Sequence, residues 1–201
     1  TSEEDDGQGG VEIVMTGTPF RLPRDSQGTI DVAGFPKMLA NLEHDFQFHE
    51  WRFNLRTGQT KERVIDDIIN QEFPVINSWM QGYKTRYSWN VLMGRLNRAE
   101  DPRFCGFARY DLQQDTCTTY HAGVHKWFSE APFAPKDHWK EEDDGYLVGY
   151  MWDDQKKQSF LTIFDAHDIA RGPVCKIRMP QRVPNGFHAT WVSGERLARG
   201  Y

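Results

Sequence analysis

The feature that most constrains the fold is a strand-and-turn unit that occurs three times along the chain. In each copy an aromatic residue ends a strand-like segment and is followed by Asn or Asp, at Asn54, Asp111 and Asp165, in steps of 57 and 54 residues. The short side chains of Asn and Asp hydrogen-bond the backbone that follows them and therefore start turns. A repeat of this length, filled with strands, is typical of four-stranded β-propeller blades with long loops.

The rest of the chain agrees with an all-β fold, because segments rich in aromatic and β-branched residues alternate with turn signals while helical periodicity is scarce. The best helix candidate, residues 36–43, is short and weakly amphipathic. The predicted strands are residues 11–16, 47–54, 84–92, 104–110, 145–152 and 158–164.

Three blades are fewer than the four to eight that a closed propeller typically has. An open arc of blades would leave strand edges unpaired and the axial face uncovered. We therefore expect residues 1–201 to be an incomplete part of a single β-propeller domain. A fragment, a cleaved product and one half of a two-chain assembly all agree with this expectation.

Composition excludes several classes of protein. With 38% hydrophobic and 13% aromatic residues, the chain can bury a substantial core. Its net charge of −5 argues against a nucleic-acid partner, because phosphate recognition draws on clustered Lys and Arg. No apolar run approaches the roughly 20 residues that span a bilayer. The acidic, polar residues 1–10 do not resemble a signal peptide.

The three cysteines, Cys105, Cys117 and Cys175, are odd in number and lack C-x-x-C spacing. They are expected to be reduced thiols, which favours a cytoplasmic location. A single disulfide beside one remaining thiol stays open as the alternative.

The segment of residues 179–192 carries the most chemical information. Two prolines and a glycine stiffen the approach to His188, which we predict to begin a strand. That geometry would hold one imidazole at the inner edge of a blade. The alternative, which the local sequence alone favours, is a strand histidine that is hydrogen-bonded in the core.

Three motif regions in this chain resemble those of one enzyme family. The first is QEFPVIN at residues 71–77, followed by RYSWN at 86–90. The second is SEAPFAP at residues 129–135, followed by EDDGY at 142–146. The third is RVPNGFHATW at residues 182–191. In this order they resemble the carotenoid cleavage oxygenases, the family that includes the lignostilbene dioxygenases.

The resemblance implies a seven-bladed β-propeller, of which this chain would cover the last three to four blades. It also implies a non-haem Fe(II) dioxygenase that uses O2 to cleave a C=C double bond of a carotenoid, apocarotenoid or stilbene-type substrate to carbonyl products. The implied partners are O2, a hydrophobic conjugated small molecule and the N-terminal remainder of the propeller. Some members of the family dock on membranes, so peripheral membrane contact stays open.

The resemblance also assigns three site residues. His188 corresponds to the last of four iron-ligating histidines, and the other three would lie upstream of Thr1. Glu72 and Glu130 correspond to carboxylates that orient ligating histidines, with Glu130 the expected partner of His188. The spacing agrees independently, because Glu72, Glu130 and His188 are separated by equal steps of 58 residues. Steps close to the blade repeat would bring the three side chains toward one axis.

Other metal sites are less well supported. His44 and His49 are interpreted as loop and strand residues. His121 and His125 with Cys117 have a spacing that would suit zinc on a helix, but the surrounding pattern is that of strands. The two Glu-Glu-Asp-Asp runs, at residues 3–6 and 141–144, lack the alternating ligands of a calcium loop and indicate solvated turns.

Two other functions remain as alternatives. One is a non-catalytic propeller that serves as a binding module, in which His188 is structural. The other is a propeller glycosidase that uses Glu72 and Glu130 as paired carboxylates. Iron content separates the oxygenase from the binding module, and metal-free glycoside hydrolysis would favour the glycosidase.

Overall fold

The computed structural model describes residues 1–20, 22–34, 36–37, 45–94, 103–184, 186 and 188–200. Within these ranges the chain forms thirteen β-strands, arranged in two antiparallel sheets. Three helical elements are described from start to end: the 3₁₀ turns Ser78–Met80 and Ile169–Arg171, and the short helix Gly194–Ala198. No described helix has the length and apolar character needed to cross a membrane.

The first four strands form a blade-like sheet in which spatial order follows chain order. It consists of β1 (Ser2–Asp5), β2 (Val11–Gly17), β3 (Phe48–Asn54) and β4 (Thr60–Asp66). The outermost strand, β4, is exposed along most of its length and carries the charged sequence TKERVID. Charged side chains on an edge strand discourage pairing with other chains.

The second unit repeats the same order with β5 (Gln71–Val75), β6 (Tyr87–Met93), β7 (Phe104–Asp111) and β8 (Thr116–His121). All seven residues of β6 are buried, because it lies between β5 and β7 and is covered on both faces.

The third unit begins with an interrupted strand. Its strands are β9 (Lys126–Phe128), β10 (Phe133–Pro135), β11 (Gly145–Asp153), β12 (Gln158–Asp165) and β13 (Cys175–Arg178). Both β9 and β10 pair with β11, at opposite ends, so they act as two halves of one strand that breaks over residues 129–132. Phe128 of β9 also pairs with Phe104 of β7, which joins the second and third units into one nine-stranded sheet.

The turn chemistry that predicts the repeat is confirmed. Asn54, Asp111 and Asp165 each end the third strand of their unit. Their Oδ1 atoms accept hydrogen bonds from backbone amides two or three residues later, at 2.9–3.1 Å. Asn54, Asp111 and Asp165 therefore occupy equivalent positions in three four-stranded units, as the propeller prediction requires.

The main core lies between the second and third units and is largely aromatic. Phe107 of β7 packs against Phe128 and Phe164, with ring centroids 4.7 and 5.2 Å away. Trp89 packs on Phe133 at 4.8 Å, and its indole N–H donates to the Ala166 carbonyl at 2.9 Å. A smaller cluster around Phe48 and Tyr110 joins the first unit to the second. The all-β propeller expectation is confirmed.

Six strands match the sequence prediction closely, namely β2, β3, β6, β7, β11 and β12. The seven missed strands are short, or polar and exposed, so they carry no clear apolar alternation. Most of the predicted helix over residues 36–43 lies outside the described residues. One expectation is wrong, because His188 does not begin a strand, and residues 188–193 run as irregular backbone. A strand needs a neighbour for its backbone hydrogen bonds, and this segment pairs with no described strand.

Candidate metal site

The structure brings His188, Glu130 and Glu72 into one cluster. His188 Nδ1 lies 3.4 Å from Glu130 Oε2. Glu72 is close enough to both residues that their charges influence its pKa. Each residue comes from a different part of the chain, and the two glutamates occupy the first strand position of successive units. The cluster therefore has the convergence that the equal spacing predicts.

Glu130 owes its position to the break between β9 and β10. The Ser129 hydroxyl donates to the Glu130 carbonyl at 2.8 Å and accepts from the Tyr150 amide at 3.0 Å. Gly149 of β11 faces the break, and a Cβ atom there would lie 3.0 Å from Ala131 Cβ and 3.2 Å from the Glu130 carbonyl oxygen. The glycine thus allows the irregular backbone to approach β11 closely, and the Glu130 side chain is only 13% exposed.

The Glu130 carboxylate contacts both the His188 ring and the backbone of the segment that carries it. Glu130 Oε2 accepts a 2.7 Å hydrogen bond from the Ala189 amide, and the same oxygen faces His188 Nδ1. Upstream, the Val183 amide donates to the Ser159 hydroxyl at 2.9 Å. An otherwise irregular segment is therefore fixed at two points, one on each side of the histidine.

Glu72 lies on β5, where it pairs with Val91 of β6 and is half-buried. Burial raises the pKa of the Glu72 carboxyl above its ordinary value, and the negative charge of Glu130 raises it further. The positive form of His188 acts in the opposite direction. A cation bound beside Glu72 would therefore favour its ionised form.

Phe73, the next residue, was not singled out by sequence reasoning. Its φ of 49° is left-handed, which is an outlier for a bulky residue and costs about 1–3 kcal/mol. The pairing of β5 with β6 shifts at the same place, between Glu72 and Val75. The available signal was Pro74, because proline within a strand is confined to edges and bulges.

A buried hydrogen-bond network anchors the start of β5. The fully buried Gln71 amide donates to the Tyr110 hydroxyl at 2.6 Å and accepts from the Asn90 amide at 2.7 Å. Ser88 continues the network to Asn90 at 2.7 Å, and Tyr110 donates to Asp66 at 2.8 Å. Because such buried polar groups are costly to leave unpaired, this network fixes the register of the strand that carries Glu72.

The arrangement of His188 and Glu130 is that of a histidine able to bind a metal ion through one ring nitrogen. A ligating histidine commonly directs one ring nitrogen at a carboxylate while the other binds the metal. His188 has Nδ1 beside Glu130, whereas its Nε2 has no hydrogen-bond partner among the described residues. In that same part of the chain, no group of three His, Cys, Asp or Glu side chains could hold a metal ion. At this cluster the described residues therefore offer one imidazole nitrogen and no complete metal site.

The other histidine candidates have structural surroundings. His49 uses both ring nitrogens, with Glu62 Oε1 at 2.7 Å and Gln47 Oε1 at 3.2 Å. Cys117 and His121 lie on strand β8, so the helix that a zinc site would need is not formed. The His121 Nδ1 atom lies 3.8 Å from Cys105 Sγ. His44 lies outside the described residues. No disulfide joins the three cysteines.

Aspartates of the two acidic runs cap the turns that follow or include them, although residues 3–5 of the first run belong to β1. Asp5 and Asp6 accept hydrogen bonds from the backbone amides of Gly7, Gln8 and Gly10 at 2.7–2.8 Å. Asp144 accepts from two amides in the second run, at 2.9 and 3.0 Å. The interpretation of both runs as solvated turns is therefore wrong in part, because residues 3–5 pair in β1 and the side chains of Asp6 and Asp143 are buried.

Two of the remaining motif segments contact each other away from His188. The Glu142 carboxylate accepts hydrogen bonds from the Arg86 and Tyr87 amides at 2.9–3.0 Å. Its neighbour Asp143 is buried and accepts from Arg109 at 2.6 Å. Arg86 in turn binds Asp111 through two nitrogens, with a shortest contact of 2.6 Å. We call this group of six residues the matched cluster: Arg86, Tyr87, Arg109, Asp111, Glu142 and Asp143.

The sequence of the chain is similar to those of known proteins. The family described as retinal pigment epithelial membrane protein (RPE65) matches residues 4–193. Carotenoid 9,10(9',10')-cleavage dioxygenase 1 of Arabidopsis thaliana is 30% identical over 75% of the chain, which corresponds to 29% of the plant protein. The chloroplastic 9-cis-epoxycarotenoid dioxygenase NCED6 of the same plant is 32% identical over 75% of the chain and 25% of its own length.

A carotenoid cleavage oxygenase of Mycobacterium tuberculosis is 30% identical over 71% of the chain, or 28% of its own length. The chain thus spans between a quarter and three tenths of these curated relatives. Among solved structures, a mutant of Synechocystis apocarotenoid oxygenase matches 95% of the chain with a TM-score of 0.75 and 20% identity, and the match covers 38% of that protein. A cobalt-substituted form of the same oxygenase matches equally well, with a TM-score of 0.75. These neighbours are seven-bladed propellers, of which the chain covers part.

Proposed function

This chain belongs to the family of the retinal pigment epithelial membrane protein and the carotenoid cleavage oxygenases, and we propose that the protein containing it is a non-haem Fe(II) dioxygenase. The proposed reaction adds both atoms of O2 across one C=C double bond of a carotenoid, apocarotenoid or stilbene-type substrate and breaks that bond to give two carbonyl products. The observation that carries the proposal is the His188 imidazole, held beside a carboxylate with its second ring nitrogen unpaired among the described residues.

In this proposal His188 would bind the iron through Nε2, because Nδ1 faces Glu130. Neutral imidazole is a suitable donor for Fe(II), and the bound iron would supply the activation of dioxygen. The remaining ligands would come from parts of the protein beyond this cluster. The motif resemblance suggests three further histidines.

Glu130 and Glu72 would have different roles around this ligand. Glu130 orients the imidazole and selects the tautomer with the proton on Nδ1, while its bond to the Ala189 amide keeps the backbone in place. Glu72 adds negative charge next to the site, where burial makes its ionised form costly in the absence of a cation. Two carboxylates beside one neutral imidazole thus favour a bound cation.

The proposed substrate is a hydrophobic conjugated molecule, in agreement with the activities for which the relatives are named. An apolar tunnel would hold such a molecule and exclude water around the reacting bond. The cytoplasmic location is proposed from the odd number and spacing of the three cysteines, and one relative is named as chloroplastic. Peripheral contact with a membrane would give access to lipophilic substrates.

The test uses the full-length protein, purified without oxygen and supplied with ferrous ion. We expect about one iron per chain, and cleavage of a carotenoid or stilbene with incorporation of ¹⁸O from ¹⁸O₂ into the carbonyl products. Tight binding of a conjugated ligand without iron and without products would support a binding module instead. Hydrolysis of an aryl glycoside by the metal-free protein would support the glycosidase.

A further inference from the structure

Phe73 has a left-handed backbone in a place where no turn requires it. Asp115 and Lys157 have similar φ values, 51° and 49°, but they lie in turns between strands, where this conformation is common. Phe73 instead lies inside β5, between Glu72 and Pro74. A strained residue that persists in a strand must be held there by its surroundings.

The strain coincides with a bulge in the strand. Glu72 pairs with Val91, and the next pair joins Val75 to Trp89. Two residues of β5 therefore lie opposite the single residue between Val91 and Trp89. A bulge of this kind re-aims a side chain, and such bulges are frequent beside functional sites.

The side chain re-aimed in this way contacts the His188 ring. The Phe73 and His188 ring centroids are 5.1 Å apart, with an angle of 73° between the ring planes. On its other side Phe73 meets Phe104 at 5.4 Å and 84°. Both are edge-to-face contacts, which aromatic rings favour over direct face-to-face stacking. Phe104 on β7 thus supports the Phe73 ring that touches the imidazole.

We propose that Phe73 is a positioning residue, whose strained backbone and supported ring fix the rotation of the His188 imidazole. The His188 side chain is 78% exposed, so burial alone does not restrain it. Glu130 restrains one edge of the ring at Nδ1, and Phe73 restrains its tilt. Together the two contacts define the direction in which Nε2 points. The inference rests on the proposed function only where Nε2 is taken to bind a metal.

Three substitutions separate this role from general packing. Phe73→Leu keeps an apolar side chain but removes the aromatic contact with His188. Phe73→Tyr is the conservative substitution, because it keeps an aromatic ring in contact with His188. Phe160→Leu is the matched control, because Phe160 is also a half-buried phenylalanine on the edge of the main core, and its ring makes no described contact with His188.

The first measurement needs no metal. In the metal-free full-length protein with ring-labelled histidine, the His188 signals are identified by their loss in His188→Gln. We expect Phe73→Leu to move the His188 ring-proton shifts towards free-histidine values, because the ring current of Phe73 is lost. Phe73→Tyr and Phe160→Leu should leave these shifts near those of the wild type.

The second measurement uses ferrous ion alone, in competition with a chelator. We expect Phe73→Leu to weaken iron binding about tenfold, the effect typical of residues that orient a metal ligand. Phe73→Tyr and Phe160→Leu should bind within about twofold of the wild type. Equal losses in Phe73→Leu and Phe160→Leu, or no rescue by Phe73→Tyr, would overturn the positioning role.

The two measurements also separate this inference from the proposed function. If the wild-type protein binds no ferrous ion, the oxygenase proposal fails, and the histidine spectra still decide whether Phe73 restrains the ring. If iron binds and the His188 shifts are the same in Phe73→Leu and the wild type, the inference about Phe73 is wrong while the oxygenase proposal stands.

Discussion

The His188 cluster and the matched cluster both bring acidic residues together, but they balance the charge differently. In the matched cluster Asp143 faces Arg109 and Asp111 faces Arg86, each with a shortest contact of 2.6 Å. In the His188 cluster Glu130 contacts the imidazole and Glu72 lies near enough for its pKa to be affected, while the imidazole is neutral when unprotonated. One cluster therefore contains permanent cations, whereas the other has an excess of negative charge.

The pKa shifts of two carboxyls reflect this difference. Hydrogen bonds from Arg86 lower the pKa of Asp111 below its ordinary value. Burial raises the pKa of Glu72. Burial also raises the pKa of Glu142 in the matched cluster, but there two backbone amides act in the opposite direction. Acids paired with arginine stabilise the fold, whereas an acid left without a cation is suited to a bound one.

The largest effect that tests this comparison comes from removing an imidazole. His188→Ala in the full-length protein should abolish iron retention through desalting, because it removes a ligand. His167→Ala is the matched control, since His167 is 74% exposed and lies 2.9 Å from Asp143. Metal analysis of both variants gives the answer. Equal iron content in the two would contradict the distinction between the clusters.

Asp143→Ala should give the largest loss of stability. Removing the aspartate leaves the largely buried Arg109 guanidinium without its carboxylate, which costs about 3–5 kcal/mol. Denaturant unfolding measures this change, and the iron affinity of the folded protein should be unaltered. A variant that unfolds like the wild type but loses iron would reverse the roles assigned to the two clusters.

Glu130→Ala should lower iron affinity about 10–100-fold, because it removes both the imidazole contact and the acceptor for the Ala189 amide. Glu130→Gln retains an oxygen for that amide but lacks the negative charge. It should therefore fall between the wild type and the alanine variant in chelator competition. If Glu130→Gln lost as much iron affinity as Glu130→Ala, the contact with the Ala189 amide would make no contribution to iron affinity.

The smallest effect concerns pH. The folded pKa of Asp111 is lowered, so its contribution to stability is present above the unfolded pKa and is lost as pH falls through the folded pKa. The folded pKa of Glu72 is raised, so its contribution is present below the unfolded pKa and is lost as pH rises through the folded pKa.

The measurement is the melting temperature of the metal-free protein at a series of pH values from acidic to alkaline. Asp111→Asn should be less stable than the wild type near neutral pH, and the difference should shrink in acid. Glu72→Gln should become more stable relative to the wild type as the pH rises, and added ferrous ion should reduce that advantage. The same pH trend in both variants would show that the two acids have equivalent surroundings.

The sequence predicted the parts of this fold that depend on local interactions. Asn54, Asp111 and Asp165 start turns through hydrogen bonds that reach only two or three residues along the chain, so the repeat is visible in the sequence. The aromatic strands β6, β7, β11 and β12 were found for a similar reason, since their composition reflects a buried sheet. Outer strands such as β4 escaped detection because their side chains are exposed and charged.

For the candidate site, the sequence determined which residue types are available and their equal spacing of 58 residues. Tertiary structure decided that one Glu130 oxygen serves both the Ala189 amide and the His188 ring, and that Phe73 adopts a left-handed backbone beside them. These features arise because a broken strand, a bulged strand and an irregular segment pack against one another. Their geometry depends on contacts between residues far apart in the chain, and local sequence preferences do not encode it.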